Sequence, residues 1–174
     1  MKRVCVLRLG HRPFRDKRVT THVGLAARAF GADGMYLAAG DPKVAESIRD
    51  VAARWGGGFF VEDGVSWKRC VRDWKERGGC VVHLTMYGMP LQDSLEELRR
   101  IDRMLVVVGG PKVPGKVYHE ADFNIAVTSQ PHSEIAALAI VLHEVQGGEE
   151  LKRSFEKSRL RILPSPRGKR VVES

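Results

Sequence analysis

Three loops rich in glycine, proline and hydroxyl side chains have the composition of a small-molecule site. They cover residues 84–90, 108–115 and 128–134, and each follows an apolar run that is typical of a buried strand. In an open α/β sheet, ligands bind at the carboxyl ends of the strands, where backbone N–H and C=O groups can hold them. One such loop alone could be an ordinary turn, because turns use the same residues. Three in succession favour a single pocket.

The segment 12–22 has a composition suited to phosphate binding. Arg12, Arg15, Lys17 and Arg18 surround Asp16, and two threonines follow. Arginine binds phosphate through two parallel hydrogen bonds, and Asp16 could orient one of these arginines. The alternative interpretation is a flexible, solvated loop.

Positive charge is concentrated at the two ends of the chain, whose net charge is +8 over 174 residues. Residues 1–30 carry +7 and residues 151–174 carry +6, whereas the residues between them carry −5. If the fold brings the two ends together, they form one positive face that attracts polyanions, nucleic acid first. The alternative is a solvated surface whose asymmetry has no function.

The overall composition is that of a soluble globular domain, with 43% hydrophobic and 29% charged residues. The apolar runs are too short to span a membrane, and the beginning of the sequence does not resemble a signal peptide. Cys5, Cys70 and Cys80 are odd in number and lack a CxxC spacing, which argues against disulfides and a cysteine zinc site. We therefore expect a reduced, cytoplasmic protein.

Common nucleotide and metal motifs are absent from the sequence. No GxGxxG follows the first predicted strand, and neither GxxxxGK[ST] nor HExxH occurs. The six histidines are scattered, and His83, His119 and His143 are expected to be structural. These absences argue against a dinucleotide-binding enzyme, a P-loop ATPase and a metal centre.

Apolar runs alternate with helical periodicities along the chain, which predicts an α/β fold with a mostly parallel sheet. Strands are predicted at residues 3–9, 34–39, 59–61, 80–85, 104–108 and 123–127. Predicted helices include residues 23–30 and 135–145, one that begins at Asp41-Pro42 and one that Ser66 caps. The chain divides into a main domain, residues 1–147, and a small basic extension, residues 148–174. The extension is expected to hold a short helix and a hairpin of residues 160–163 and 170–172.

Two long stretches, residues 7–32 and 107–139, resemble the archaeal tRNA (cytidine-56)-2′-O-methyltransferases, a family of the SPOUT superfamily. The first contains Leu7-Arg8-Leu9-Gly10-His11-Arg12 and the second Val108-Gly109-Gly110-Pro111-Lys112. The resemblance runs from about residue 3 to 145. It implies a deep trefoil knot in the C-terminal half, a homodimer with the site near its interface, and S-adenosyl-L-methionine in the three loops. The implied substrate is the ribose of a cytidine in the T-loop of tRNA.

The resemblance also implies roles for individual residues. The implied catalytic residues are Arg28, His22 and Glu134. Arg28 would orient the phosphate or ribose and stabilise the charge that develops on the reacting oxygen, and His22 and Glu134 are candidate proton acceptors. Arg8, Arg12, Arg15 and Arg18 would bind tRNA phosphates, and no metal is needed. The implied cofactor-binding residues are Leu84, Thr85, Met86, Gly109, Gly110, Pro111, Lys112, Val113, Thr128, Ser129, Gln130, Pro131, His132 and Ser133.

His22, His132 and Glu134 depart from the wider superfamily of ribose methyltransferases. His22 stands where those enzymes have asparagine, and His132 and Glu134 stand where they have asparagine and serine. These departures leave the identity of the proton acceptor open. A non-catalytic RNA-binding module of the same fold, or a nucleotide-binding protein unrelated to RNA, are the alternative functions. The extension could contact tRNA or a partner subunit, or only increase solubility.

Overall fold

The computed structural model describes residues 2–173 and confirms an α/β fold built on a parallel sheet. Six strands pair in the order β3-β2-β1-β5-β4-β6, and every pairing is parallel. The strands are β1 Arg3–Arg8, β2 Gly34–Leu37, β3 Phe60–Asp63, β4 Cys80–Pro90, β5 Arg103–Val108 and β6 Phe123–Ala126. The helices are α1 Lys17–Ala29, α2 Pro42–Trp55, α3 Trp67–Glu76, α4 Leu91–Arg99, α5 Gly115–Glu120 and α6 Glu134–Gln146.

Hydrophobic side chains cover both faces of the sheet, as a parallel sheet requires. Along β1, Val4 and Val6 point into the core shared with α1, α2, α4 and α6. Cys5 and Leu7 point to the other face, where they pack with Trp74 of α3 and Val117 of α5. The central strands are therefore buried on both sides, and their carboxyl ends are fixed relative to each other.

The carboxyl ends of β1, β4 and β5 bring together the loops that the sequence singled out. Strand order changes direction between β1 and β5, which is where open α/β sheets bind ligands. Gly10 follows β1 with a φ of +68°, and a Cβ there would lie 3.5 Å from the backbone nitrogen of Gly110. The loop after β1 therefore lies directly against the loop after β5.

Three elements differ from the sequence-based prediction. Helix α1 begins at Lys17 rather than at residue 23, because Thr20 packs in the core and extends the buried face by a turn. Strand β4 runs to Pro90, but Leu84 and Met89 both pair with Ile125, so residues 85–88 bulge out of the ladder. The short helix α5 lies in a segment that the sequence pattern left as a loop.

The C-terminal segment contains the predicted short helix and hairpin. A 3-10 turn covers Glu149–Lys152, and β7 Leu160–Ile162 pairs antiparallel with β8 Val171–Glu173. The backbone of Gly57 donates to the Glu156 carbonyl at 3.1 Å, which attaches this segment to the end of α2. Residues 153–159 therefore lie at the amino edge of the sheet, whereas residues 12–18 lie at the carboxyl edge. The basic loop at residues 12–18 and the extension therefore do not form one face within the chain.

Candidate cofactor cavity and RNA-binding loop

A cavity of about 330 Å³ opens at the carboxyl ends of β4, β5 and β6. This volume is in the range of small-molecule sites. Residues of all three predicted loops line it, together with apolar side chains from the strand ends. The lining residues are His83, Leu84, Thr85, Met86, Tyr87, Val108, Gly109, Gly110, Pro111, Val113, Tyr118, Ile125, Val127, His132, Glu134 and Ala137.

The bulge at residues 85–88 forms one wall of the cavity and is held against α5 and β6. Thr85 Oγ1 lies 3.1 Å from the Tyr118 hydroxyl, so the two side chains share a hydrogen bond. A Cβ on Gly88 would collide with the backbone of Asn124 and Ile125, so only glycine allows this approach. The wall is therefore fixed by contacts on both of its sides.

The Arg8 side chain connects two of the cavity loops, the one after β5 and the one before α6. It is 1% exposed, and Nη1 donates to the Gly109 carbonyl at 2.6 Å while Nη2 donates to Glu134 Oε1 at 3.2 Å. Burial lowers the pKa of Arg8, and the Glu134 carboxylate opposes that shift. A buried guanidinium cannot contact a tRNA phosphate, so the expected phosphate-binding role of Arg8 is corrected. Its contacts are those of a positioning residue.

His83 supplies a buried acceptor atom beneath the cavity. Its Nδ1 donates to Asn124 Oδ1 at 2.8 Å, because the Asn124 amide donates to the Tyr118 carbonyl and thereby presents its oxygen to the ring. Nε2 is buried and has no hydrogen-bond partner among the described residues. Burial lowers the pKa of His83, so the ring is neutral near pH 7. His83 thus has the structural role expected of it, and its Nε2 is enclosed beneath the cavity floor.

His132 and Glu134 lie at the mouth of the cavity, where α6 begins. His132 Nδ1 is 2.6 Å from the Gln130 carbonyl, so Nδ1 carries the proton and Nε2 keeps its lone pair. Ser133 caps α6 by accepting a hydrogen bond from the backbone of Ile135 at 3.1 Å. Glu134 is one-third exposed and paired with Arg8. Two side chains able to accept a proton therefore face the same space.

The structure brings together most of the predicted cofactor residues, although not all of them. Eight line the cavity: Leu84, Thr85, Met86, Gly109, Gly110, Pro111, Val113 and His132. Six do not line it: Lys112, Thr128, Ser129, Gln130, Pro131 and Ser133. Sequence reasoning missed two lining residues, Tyr87 in the first loop and Tyr118 in α5, a helix that the sequence pattern does not predict.

Arg28 and His22 do not lie at the cavity within one chain. Arg28 is buried at the end of α1, where Nη2 donates to the Gly56 carbonyl at 2.7 Å and the guanidinium stacks 4.5 Å from the Phe155 ring centroid. Those partners belong to the amino edge of the sheet, opposite the cavity. His22 is exposed on α1. The position of Arg28 contradicts a catalytic role in a site formed by one chain.

The basic loop after β1 is built around the ion pair that the sequence suggested. Arg12 donates to the Asp16 carboxylate through Nε at 2.8 Å, Nη2 at 2.9 Å and its backbone nitrogen at 3.0 Å. These hydrogen bonds lower the pKa of Asp16 to about 2. Arg15 and Arg18 are exposed on the same segment. The loop thus presents an oriented set of cations beside the cavity.

A second, larger cavity of about 660 Å³ lies between the end of α2 and residues 153–157. Arg49, Arg153 and Lys157 contribute to its lining. It is at the amino edge of the sheet, away from the three loops and from every predicted cofactor residue. We therefore place the functional site in the smaller cavity, where the chemistry-bearing loops converge.

Within residues 2–173, no group of three or more potential metal ligands occurs, and no helix is both long and apolar enough to cross a bilayer. Cys5, Cys70 and Cys80 are free thiols, and burial raises their pKa values to about 11, 12 and 12. These thiols are therefore protonated at neutral pH.

Comparison with known proteins agrees with the geometry. A family model described as tRNA ribose 2′-O-methyltransferase, aTrm56, matches residues 55–172. The chain belongs to this family. It is 56% identical over 172 residues to the tRNA (cytidine(56)-2′-O)-methyltransferase of Methanoregula boonei, covering 99% of this chain and 98% of that one. It is 52% identical over 174 residues to the protein of the same name from Methanosarcina barkeri, covering 100% and 98%.

Solved structures of more distant methyltransferases share the fold of this family member. The A. aeolicus TrmH/SpoU tRNA modifying enzyme superposes with a TM-score of 0.64 at 20% identity, covering 87% of this chain and 78% of that one. The SpoU methyltransferase AviRb of Streptomyces viridochromogenes, solved in complex with AdoMet, gives 0.54 at 18% identity, covering 84% and 58%. At these identities the likeness supports the fold alone.

Proposed function

We propose that this protein transfers a methyl group from S-adenosyl-L-methionine to the ribose 2′-hydroxyl of cytidine 56 in the T-loop of tRNA. The observation that carries the proposal is the cavity at the ends of β4, β5 and β6 in a chain of the aTrm56 family. The family supports the reaction and the substrate. The cavity offers a binding site for the cofactor, and the basic loop beside it offers one for the tRNA.

The cavity suits a nucleoside cofactor with polar substituents. Leu84, Val108, Ile125 and Val127 form apolar surface against which a flat base can pack. Gly109 and Gly110 line the cavity without side chains, so their backbone forms part of its surface. The cofactor supplies an activated methyl group on a sulfonium centre.

The chain's own residues would position the two reactants and remove one proton. We propose that His132 accepts the proton of the 2′-hydroxyl at Nε2, because the Gln130 carbonyl fixes the tautomer that leaves this atom free. Glu134 remains the second candidate, since Arg8 holds its carboxylate at the same mouth. His22 would have to act from another copy of the chain. Most of the rate enhancement then comes from orientation of the hydroxyl against the methyl group.

Arg12, Arg15 and Arg18 are proposed to bind tRNA phosphates. They are exposed and follow Gly10, which touches the cofactor loop at Gly110. RNA loops are recognised through shape, backbone charge and splayed bases rather than through a groove code. A basic loop next to the cavity can therefore bring a ribose to the methyl donor.

We also propose the deep trefoil knot expected for this superfamily. Strand β4 lies between β5 and β6, so the chain that leaves β5 must cross the end of β4 to reach β6. The close approach of Gly88 to the backbone of Asn124 and Ile125 supports a threaded crossing at this point. Residues 1–147 would form the methyltransferase domain and residues 148–174 its basic extension.

A homodimer is proposed because apolar side chains are exposed around the cavity. Tyr87 and Met89 are 80% and 62% exposed on the bulge, and Ile140 is 44% exposed on α6. Exposed apolar clusters mark interaction surfaces. A cytoplasmic location, expected from the free thiols, is consistent with a tRNA substrate.

A methyl-transfer assay tests the proposed function. The protein is incubated with methyl-labelled S-adenosyl-L-methionine and an unmodified tRNA transcript, and the RNA is digested to nucleosides. We expect 2′-O-methylcytidine. A matched transcript with 2′-deoxycytidine at position 56 should accept no label, because the acceptor oxygen is missing.

Each other outcome identifies which part of the proposal is wrong. Label in the deoxy transcript would place the reaction at another nucleotide. Label on a base would retain the cofactor site and reject the ribose mechanism. Bound tRNA without any label would favour the non-catalytic RNA-binding module.

A further inference from the structure

Phe14 stands out as an exposed aromatic ring within the basic loop. Its exposed fraction is 101%, the highest among the large hydrophobic side chains of residues 2–173. A single exposed apolar residue is common and needs no explanation by itself. Its neighbours make this one unusual, because Arg12, Arg15 and Lys17 are also exposed and Asp16 is already paired with Arg12.

The backbone that carries Phe14 is held in a closed turn. The backbone nitrogens of Arg15 and Asp16 donate to the Arg12 carbonyl at 3.0 and 2.8 Å, and Arg12 donates back to the Asp16 carboxylate. Pro13 fixes its own φ in the same turn. Phe14 therefore projects from the tip of a braced turn. The backbone of this turn therefore loses little conformational freedom when the ring binds a flat partner.

The turn is also close to the proposed methyl-transfer site. Gly10, four residues before Phe14, lies against the backbone of Gly110, whose loop lines the cavity. A ligand that contacts both the cavity and the turn must present an apolar face to Phe14 and negative charge to the surrounding cations. Single-stranded RNA has both features, because its bases stack on aromatic rings and its phosphates pair with arginine.

We propose that Phe14 is a stacking platform for an unstacked nucleobase of the tRNA, next to the nucleotide that receives the methyl group. This inference rests on the proposed function and adds a residue that sets substrate affinity. The ring packs on one face of the base, and the exposed cations bind the flanking phosphates. RNA carries a negative charge at every nucleotide, whereas a docked protein surface would need acidic side chains at each of these positions.

Four substitutions separate stacking from simple hydrophobic contact. Phe14→Leu keeps an apolar side chain of similar bulk without a π-face, and Phe14→Ala removes both. We expect each to raise the Kd for the tRNA transcript by about 5- to 100-fold, the range found for loss of one base–aromatic stack. Phe14→Tyr and Phe14→Trp should stay within about threefold of the original protein. Ser47→Ala, at an exposed uncharged position of α2 outside the proposed RNA-binding segments, is the control.

The salt dependence of binding gives a readout that a merely structural effect would not reproduce. Phe14→Ala should leave the slope of log Kd against log salt unchanged, because the ring contacts no phosphate. Arg15→Ala should lower that slope by about one. A transcript with 2-aminopurine at single T-loop positions should show a fluorescence change on binding that Phe14→Leu abolishes.

The binding measurements remain informative even if methyl transfer fails. Loss of label with the Phe14 effects intact would reject the proposed reaction and retain the platform. A Phe14→Leu protein that binds tRNA like the original would overturn the platform. So would a Phe14→Ala protein whose sedimentation shows an altered oligomeric state at unchanged tRNA affinity, since Phe14 would then contact a second copy of the chain.

Discussion

Replacing Arg8 by methionine should loosen the cofactor loops, because methionine reaches only to the position of Nε and has no hydrogen-bond donors. Loss of one partner of a buried ion pair costs about 3–5 kcal/mol. Glu134 is one-third exposed and can recover water, so we reduce this contribution to roughly 2 kcal/mol. The Gly109 carbonyl also loses a charged donor, which is worth about 1.5–3 kcal/mol.

An opposing effect limits the total for Arg8→Met. Arg8 Nε is buried without a partner among the described residues, so the native guanidinium already carries a desolvation cost that methionine avoids. The net loss of unfolding free energy should therefore be about 2–3 kcal/mol. Part of it will appear in binding, because Gly109 and Glu134 both line the cavity. We expect S-adenosyl-L-methionine affinity to fall by at least about tenfold, since 1.4 kcal/mol corresponds to a factor of ten.

Urea unfolding and titration calorimetry measure the two effects separately. Arg3→Met is the matched control, because Arg3 lies on the same strand with its side chain exposed at the opposite edge of the sheet. If Arg8→Met and Arg3→Met gave the same unfolding free energy and the same cofactor affinity, the connecting function assigned to Arg8 would be refuted. Wild-type affinity in a destabilised Arg8→Met protein would limit Arg8 to folding.

The remaining predictions concern the cofactor loop, the amino edge and a buried histidine. Gly110→Val should weaken cofactor binding, measured by calorimetry, because its side chain would enter the space between the loops at Gly10. Arg28→Ala should lower the urea midpoint, because the Arg28 guanidinium no longer donates to the Gly56 carbonyl. The methyl-transfer activity per folded molecule should be unchanged. Lost activity in a protein of normal stability would instead support a catalytic role for Arg28. Because burial lowers the pKa of His83, the unfolded chain binds its proton at higher pH than the folded one. Stability should thus fall as pH drops below about 6.5, and His83→Gln should reduce that fall between pH 7.5 and 5.5 in urea titrations. Removal of residues 151–174 should lower tRNA affinity and stability in filter-binding and unfolding measurements.

Local signals in the sequence predicted most of the fold. Asp41 followed by proline, and Ser66 before an amphipathic run, are caps whose side chains accept backbone hydrogen bonds in the structure. Apolar runs located the buried strands because a parallel sheet covers both faces. The start of α1 was missed because Val19, Thr20 and Thr21 have low helix propensity, and only the tertiary burial of Thr20 decides their conformation.

The location of the site was predicted from the sequence, but the hydrogen bonds that connect its loops were not. Loop composition identified the segments that line the cavity, but composition does not tell which residues of a loop point inward. Arg8 shows the limit most clearly, because an arginine at a strand end is compatible with a phosphate contact and with a buried connection. Only the positions of Gly109 and Glu134 decide between them. Arg28 shows a similar limit, because a motif gives no direction to its side chain, which lies away from the cavity of its own chain.

The two basic ends of the chain set a geometric condition on tRNA binding. Helix α1 runs from the loop at residues 12–16 to the edge where the extension docks, and its 13 residues span about 20 Å. Charge is screened beyond about 8 Å at physiological salt, so the two basic regions cannot reinforce each other at one phosphate. If both regions bind tRNA, they contact separate parts of it, and the extension should then add to affinity without affecting the cofactor cavity. The charge asymmetry of the sequence then corresponds to two contact regions rather than one positive face.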